Sequence, residues 1–274
     1  MLSRFPVKRL LAVASALLLA AVFVIAATST WQITHADALW RIVHGGCVPD
    51  MELNHVASPC VSVDLSRGVA DGVAVLKDVE GNTQYLIIPT KRIAGIESSA
   101  ILEPTSINYF SGAWEATDLV SQQLRHTLER TDFAVAINSV SGRSQNQLHI
   151  HVDCIQPEVK LALQQAVPEI QTTWQKLPVK LMGHEYHALW IPGSQLGSRN
   201  PFDLLAASLH DPAHEMGGHT LVLAGAERSN EAGFILLDRK APTFAVAVSP
   251  WLKLGLGVGE ELEDHHCLLA NGPR

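Results

Sequence analysis

The alternation of apolar and polar positions divides the chain before any motif is sought. Residues 10–27 hold 17 apolar side chains, broken only by Ser15. At about 1.5 Å per residue this run nearly spans a bilayer core of roughly 30 Å, and it is longer than the apolar stretch of an ordinary cleaved signal peptide. Arg4, Lys8 and Arg9 precede it and no acid occurs before Asp37. The N-terminus is therefore expected to stay cytoplasmic while the remainder is exported. Ala36-Asp37-Ala38 offers a small-x-small cleavage site, but it lies well past the run, so a retained single-pass anchor over residues 1–30 is the preferred reading.

Beyond the anchor the apolar runs shorten. Residues 38–43 read as helix, and 60–63, 72–76 and 84–88 as strands, the last two joined through Glu80-Gly81-Asn82 as a hairpin. Ile107, Phe110, Trp114, Val120, Leu124 and Leu128 follow a helical stripe with a break expected at Ser111-Gly112. Strand character returns at 133–137 and 148–155, on either side of a polar loop at 139–146. Half 38–156 is thus predicted as α+β, a mainly antiparallel sheet with a crossing helix. Half 157–274 has the same mixture: a helix at 158–174 interrupted near Pro168, strands at 188–191, 220–224, 233–237 and 244–248, and a helix at 200–209. This admits a diverged, pseudo-dimeric copy packed on the first half, although no residue-level repeat is visible.

Composition changes this picture in two places. A chain of 274 residues, 47% apolar and 17% charged, must build a core and is neither disordered nor collagen-like. Outside the anchor, 17 basic residues face 27 acidic ones with no basic run, which argues against a nucleic-acid partner. Cys47, Cys60, Cys154 and Cys267 make an even set on the exported side, where disulfides persist. Three pairings are possible; the local one, Cys47 with Cys60, would leave Cys154 for Cys267. A zinc site is the rival, without a C-x-x-C or ligand spacing to favour it.

The candidate chemistry lies at 138–153. On a strand, Leu148, Ile150 and Val152 face one side while Gln147, His149, His151 and Asp153 share the other. Two histidines at i, i+2 could begin a metal site, but a third ligand would have to come from elsewhere. The loop before them, with Ser139, Ser141, Gly142, Ser144, Gln145 and Asn146, offers hydroxyl, amide and backbone donors suited to a phosphate. Phosphate donors beside an imidazole row suggest attack of nitrogen on phosphorus, for which neutral imidazole needs no prior deprotonation.

QLHIHV at 147–152 resembles the histidine triad motif, and YLIIPTKRI at 85–93 resembles that family's upstream strand. The resemblance covers about residues 39–155. It implies an α+β HIT-like fold, with His149 as the nucleotidyl acceptor, His151 as the last histidine, Asn138 as a phosphate-binding residue and Ser144 near the leaving group. Gln147 stands where the first histidine is usual, and Arg92 where many members have histidine. LWRIV at 39–43, CVP at 47–49 and SVSGRSQNQLHIHVDC at 139–154 are similar to a membrane-attached bacterial branch of this superfamily. That resemblance implies hydrolysis of CDP-diacylglycerol in the membrane to CMP and phosphatidate. It also implies an inner-membrane location with the catalytic domain periplasmic; no metal or other cofactor is expected, since nitrogen is the nucleophile and protein donors can carry the charge. The alternatives are an exported triad enzyme acting on soluble nucleotide conjugates and a non-catalytic nucleotide-binding envelope protein.

Other histidines carry less. His214-Glu215 with His219 fails the H-E-x-x-H spacing, and His184 with His187 lacks a third ligand. His187 and His219 remain candidates to touch substrate if the second half covers the site, and His265-His266 reads as structural or incidental. No P-loop or G-x-S-x-G elbow is present.

Overall fold

The computed structural model describes residues 36–242 and 258–271, with only Ser15 and Leu17 further upstream; the expected anchor and the strand at 244–248 lie outside the described residues. Among the described residues no helix is long and apolar enough to cross a membrane. Helix α1 (Ala38–Ile42) passes through a π turn at Val43–Cys47 into α2 (Val48–Asn54). Strands β1 (Ser62–Asp64), β2 (Val73–Lys77) and β3 (Tyr85–Pro89) follow, then α3 (Tyr109–Glu115) and α4 (Thr117–Leu124). Next come β4 (Phe133–Ile137), β5 (Ile150–Ile155) and α5 (Pro157–Ala166). The second half holds β6 (Gln175–Lys176), β7 (His187–Pro192), α6 (Pro201–Ala206), α7 (Pro212–Glu215), β8 (His219–Arg228), β9 (Glu231–Lys240) and β10 (Glu263–Asp264).

The chain is α+β, and its ten described strands make one antiparallel sheet in the order β1-β2-β3-β5-β4-β8-β9-β7-β6, with β10 on β5. The halves meet inside this sheet, where Ala134, Val135, Ala136 and Ile137 of β4 pair with Ala224, Leu223, Val222 and Leu221 of β8. Strands β2 to β5 are wired 2-3-5-4 and strands β6 to β9 are wired 6-7-9-8, the same path reflected across the seam. Short continuous apolar runs such as FAVAI of β4, buried at every position, belong to such interior strands because both faces are covered.

One face packs under α3, α4 and α6. Phe110 of α3 and Phe202 of α6 meet edge to face across the halves, with centroids 5.1 Å apart, and Trp114 meets Phe234 at 4.8 Å. Each such side chain, when fully buried, contributes roughly 1.5–3 kcal/mol. The opposite face carries two separate apolar clusters. Helix α5 covers Ala134, Ala136, Val222, Ala224 and Ile235, while α1 and α2 cover Ala74, Leu86 and Ile88. The strip of β5 between these clusters is where histidines replace hydrophobes.

Several boundaries differ from expectation. The stripe after residue 105 breaks at Ala116, not at Ser111-Gly112, because Thr117 Oγ1 bonds back to the Trp114 carbonyl at 2.7 Å, while Gly112 sits within α3 in open space. The helix from Pro157 ends at Ala166 and tightens into a 3-10 turn at Val167–Glu169 around Pro168. Trp174 is thereby freed from the helix, and its Nε1 donates to the Leu204 carbonyl at 3.0 Å. All four cysteines are paired, Cys47 with Cys60 and Cys154 with Cys267.

Candidate active site

The β4–β5 connection delivers the histidines. The predicted strand at 148–155 begins two residues later, at Ile150, since Leu148 N donates to the Ile93 carbonyl at 2.6 Å. The alternation nevertheless holds: Leu148, Ile150, Val152 and Cys154 enter the core beneath α3 and α4. His149 and His151 lie on the other face with ring centroids 4.9 Å apart. Both are buried, as are Gln147 and Asp153.

His149 Nδ1 lies 2.7 Å from the Gln147 carbonyl oxygen. A carbonyl only accepts, so Nδ1 carries the hydrogen and Nε2 keeps its lone pair. Burial, and then the neighbouring His151, push the His149 pKa down to about 3. The ring is therefore neutral at any physiological pH. An imidazole in this state can act as a nucleophile through Nε2.

His151 Nδ1 lies 2.8 Å from Glu260 Oε2, and its buried Nε2 has no hydrogen-bond partner among the described residues. Glu260 begins the 3-10 turn Glu260–Leu262. Its Oε1 accepts from Asn138 Nδ2 at 3.1 Å, and Asn138 Oδ1 accepts from Gly259 N at 2.6 Å. Burial alone would raise the Glu260 pKa; the charge and hydrogen bond of His151, with the Asn138 bond, outweigh it and hold it at about 2. Gly259 is required here, because a Cβ would stand 2.6 Å from Thr220 Cγ2.

The segment carrying Glu260 is fastened to β5. Glu263 and Asp264 of β10 pair with Ile155 and Cys154, Cys267 is disulfide-bonded to Cys154, and Gln156 N donates to the Leu262 carbonyl at 2.9 Å. His265 Nδ1 meets Asp153 Oδ2 at 3.0 Å, which raises the His265 pKa. Glu263 is also buried, with neither carboxyl oxygen in a well-formed hydrogen bond among the described residues; burial, then Asp153 and Glu260, push its pKa well up against a smaller lowering from Gln84.

The loop residues take distinct places. Gln147 Nε2 donates to the carbonyls of Pro89 (3.0 Å) and Lys91 (2.9 Å), tying the loop to the end of β3, while its Oε1 has no hydrogen-bond partner. Asn138 is engaged by Glu260 and Gly259 as described. Ser144 is exposed. Arg143 is buried and grips both oxygens of Glu97, at 2.5 and 2.7 Å, and its charge adds to the depression of the His149 pKa. The loop is also bonded to the start of α1: Asn146 N donates to the Ala36 carbonyl at 2.6 Å, and Leu39 N to Gln145 Oε1 at 3.2 Å. Arg92 pairs with Asp37 and lies over the Trp40 ring.

The structure thus brings His149, His151, Asn138 and Gln147 together and adds Glu260, which motif reading missed. Its one signal was indirect: a bridge from Cys267 to Cys154 brings the acidic run at 260–264 against the histidine strand. His219 is not part of this group. It is in phase with Leu221 and Leu223, on the helix-covered face, where Nδ1 bonds Asp238 Oδ1 at 2.7 Å. His187 is exposed at the start of β7. Among the described residues no group of three or more His, Cys, Asp or Glu is arranged to hold a metal ion.

Comparison with known proteins bears on this constellation. A family model described as CDP-diacylglycerol pyrophosphatase matches residues 34–271. A protein of Yersinia pestis named CDP-diacylglycerol pyrophosphatase is 38% identical over 236 residues, 86% of this chain and 86% of its own length. Among solved structures, a DUF4931 family protein from Bacillus cereus aligns with a TM-score of 0.36 at 12% identity, over 71% of this chain and 90% of that one.

Proposed function

The chain belongs to the CDP-diacylglycerol pyrophosphatase family, and from that membership we propose that it hydrolyses the pyrophosphate bond of CDP-diacylglycerol through a CMP-histidine intermediate. His149 Nε2 attacks the phosphorus that bears cytidine. The bond from that phosphorus to the bridging oxygen breaks, phosphatidate leaves, and water then cleaves CMP from His149. The observation that carries this reading is the Gln147 carbonyl 2.7 Å from His149 Nδ1, which leaves Nε2 as an unprotonated nucleophile.

Asn138 and Gln147 serve this chemistry by position, since the Asn138 amide is spent on Glu260 and Gly259 and the Gln147 Nε2 on the β3 terminus. Ser144, exposed on the same loop, is available to a phosphoryl oxygen. The matching strand wiring of the halves supports a HIT-like first half and a diverged second copy. The apolar run at 10–27 supports an inner-membrane anchor, and two disulfides support a periplasmic catalytic part. An anchored enzyme meets its diacylated substrate at raised effective concentration.

Acid-free quenching of enzyme mixed with cytidine-labelled CDP-diacylglycerol is expected to trap a base-stable, acid-labile CMP adduct on wild type and none on His149→Ala. Full turnover by His149→Ala overturns the mechanism.

A further inference from the structure

Glu260 comes from the far end of the chain, yet it contacts the two groups of the site that face it, His151 at 2.8 Å and Asn138 at 3.1 Å. Four separate attachments of its segment to β5 hold it there: β10 pairing, the Cys154–Cys267 bridge, the Gln156 bond and the His265–Asp153 pair. Such fastening for a buried carboxylate needs a use, because an ionised carboxylate out of water is costly unless paired.

Resting on the assignment of His149 as nucleophile, we propose that Glu260 is a positioning residue that holds His151 protonated, with Nε2–H aimed at the bridging oxygen of the departing phosphatidate. As the phosphorus–oxygen bond breaks, its electron pair passes to the bridging oxygen, which takes the Nε2 proton. His151, now neutral, removes a proton from the water that attacks the phosphorus on His149. The phosphorus–nitrogen pair returns to His149 Nε2, CMP departs and His151 is again protonated.

Other charges near His151 do not supply this service. On its own strand His149 is neutral, and the carboxylate of Asp153 is committed to His265. From the loop, Arg143 opposes a cation but is clamped on Glu97. From the C-terminal segment, burial favours the neutral form of Glu263. The cross-strand neighbours Leu86 and Ala136 are apolar. Among the described residues Nε2 of His151 has no hydrogen-bond partner, as a proton donor reserved for substrate would have none.

The test compares two leaving groups in single turnover: phenolate from the phenyl ester of CMP, a strong base that needs a proton to depart, and nitrophenolate from the p-nitrophenyl ester of CMP, a weak base that does not. Glu260→Gln is expected to slow the first at least about 100-fold while changing the second less than about threefold, the range expected for loss of acid catalysis alone. Glu260→Asp, which keeps the charge, should recover part of the lost rate. Equal losses on both substrates, or no loss on either, overturn the proposal. Loss of the CMP adduct only in His149→Ala keeps the nucleophile assignment standing in either case, so failure of the two ideas is told apart.

Discussion

A single carbonyl decides what His149 can do. Because the Gln147 oxygen takes the Nδ1 hydrogen, backbone geometry selects Nε2 as the nitrogen with a free lone pair, and burial then removes competition from protons. Period-two alternation puts His149 and His151 on one face, so both were legible in the sequence, while the carbonyl contact and the burial were not. Glu260 was not, since its contact with His151 spans 109 positions and no local pattern encodes it. Nor was the employment of Asn138 by that carboxylate. Glu263 yields a prediction of its own. Its carboxyl is buried beside Asp153 and Glu260 and its folded pKa is raised, so the folded state binds the proton more tightly than the unfolded chain. Stability is then lost as pH rises above the ordinary carboxylate range. Glu263→Gln should melt a few degrees higher than wild type at pH 7.5, with the gap closing near pH 4, as read by thermal denaturation.

At the scale of elements, the C-terminal segment is held against the site by attachments that can be severed one at a time. In chain-entropy terms its bridge, closing a separation of 113 residues, is worth about 4–5 kcal/mol, against about 3 kcal/mol for Cys47–Cys60. The sharper difference concerns activity. Replacing Cys154 and Cys267 by Ser should cut turnover of CDP-diacylglycerol at least about tenfold at 25 °C, whereas the Cys47/Cys60 pair of replacements should cut it less than about threefold. The β8–β9 turn offers a stability test. Ser229 and Asn230 both adopt positive φ, 50° and 67°, in a two-residue hairpin whose preferred pair is Asn-Gly. Ser229→Asn with Asn230→Gly should raise stability by about 1 kcal/mol in urea titration, leaving activity unchanged. Strand β4 was readable to the residue because its run is wholly apolar. The start of β5 and the break before α4 were not, because each depends on one non-local or side-chain hydrogen bond.

Across the whole molecule, reflected wiring coexists with unequal ends. The connection between β4 and β5 is the long loop that carries the site, while the corresponding connection between β8 and β9 is the two-residue turn. One chain therefore presents one histidine row. The α+β class and the mixed second half were legible from the spacing of short apolar runs. The continuous sheet was not, because pairing of β4 with β8 is a choice among exposed edges that local pattern leaves open. The bond from Asn146 N to the Ala36 carbonyl has a further meaning. Ala36 stands nine residues after the last apolar residue of the N-terminal run, and an extended chain gains at most about 3.5 Å per residue. The catalytic loop is thus on a leash of roughly 30 Å from the point where a membrane-seated run would end. With that run seated in a bilayer, as proposed above, the enzyme would graze: it would work through the lipids within a small circle around its own stem, and a new meal would arrive by lateral diffusion in the leaflet rather than from solution.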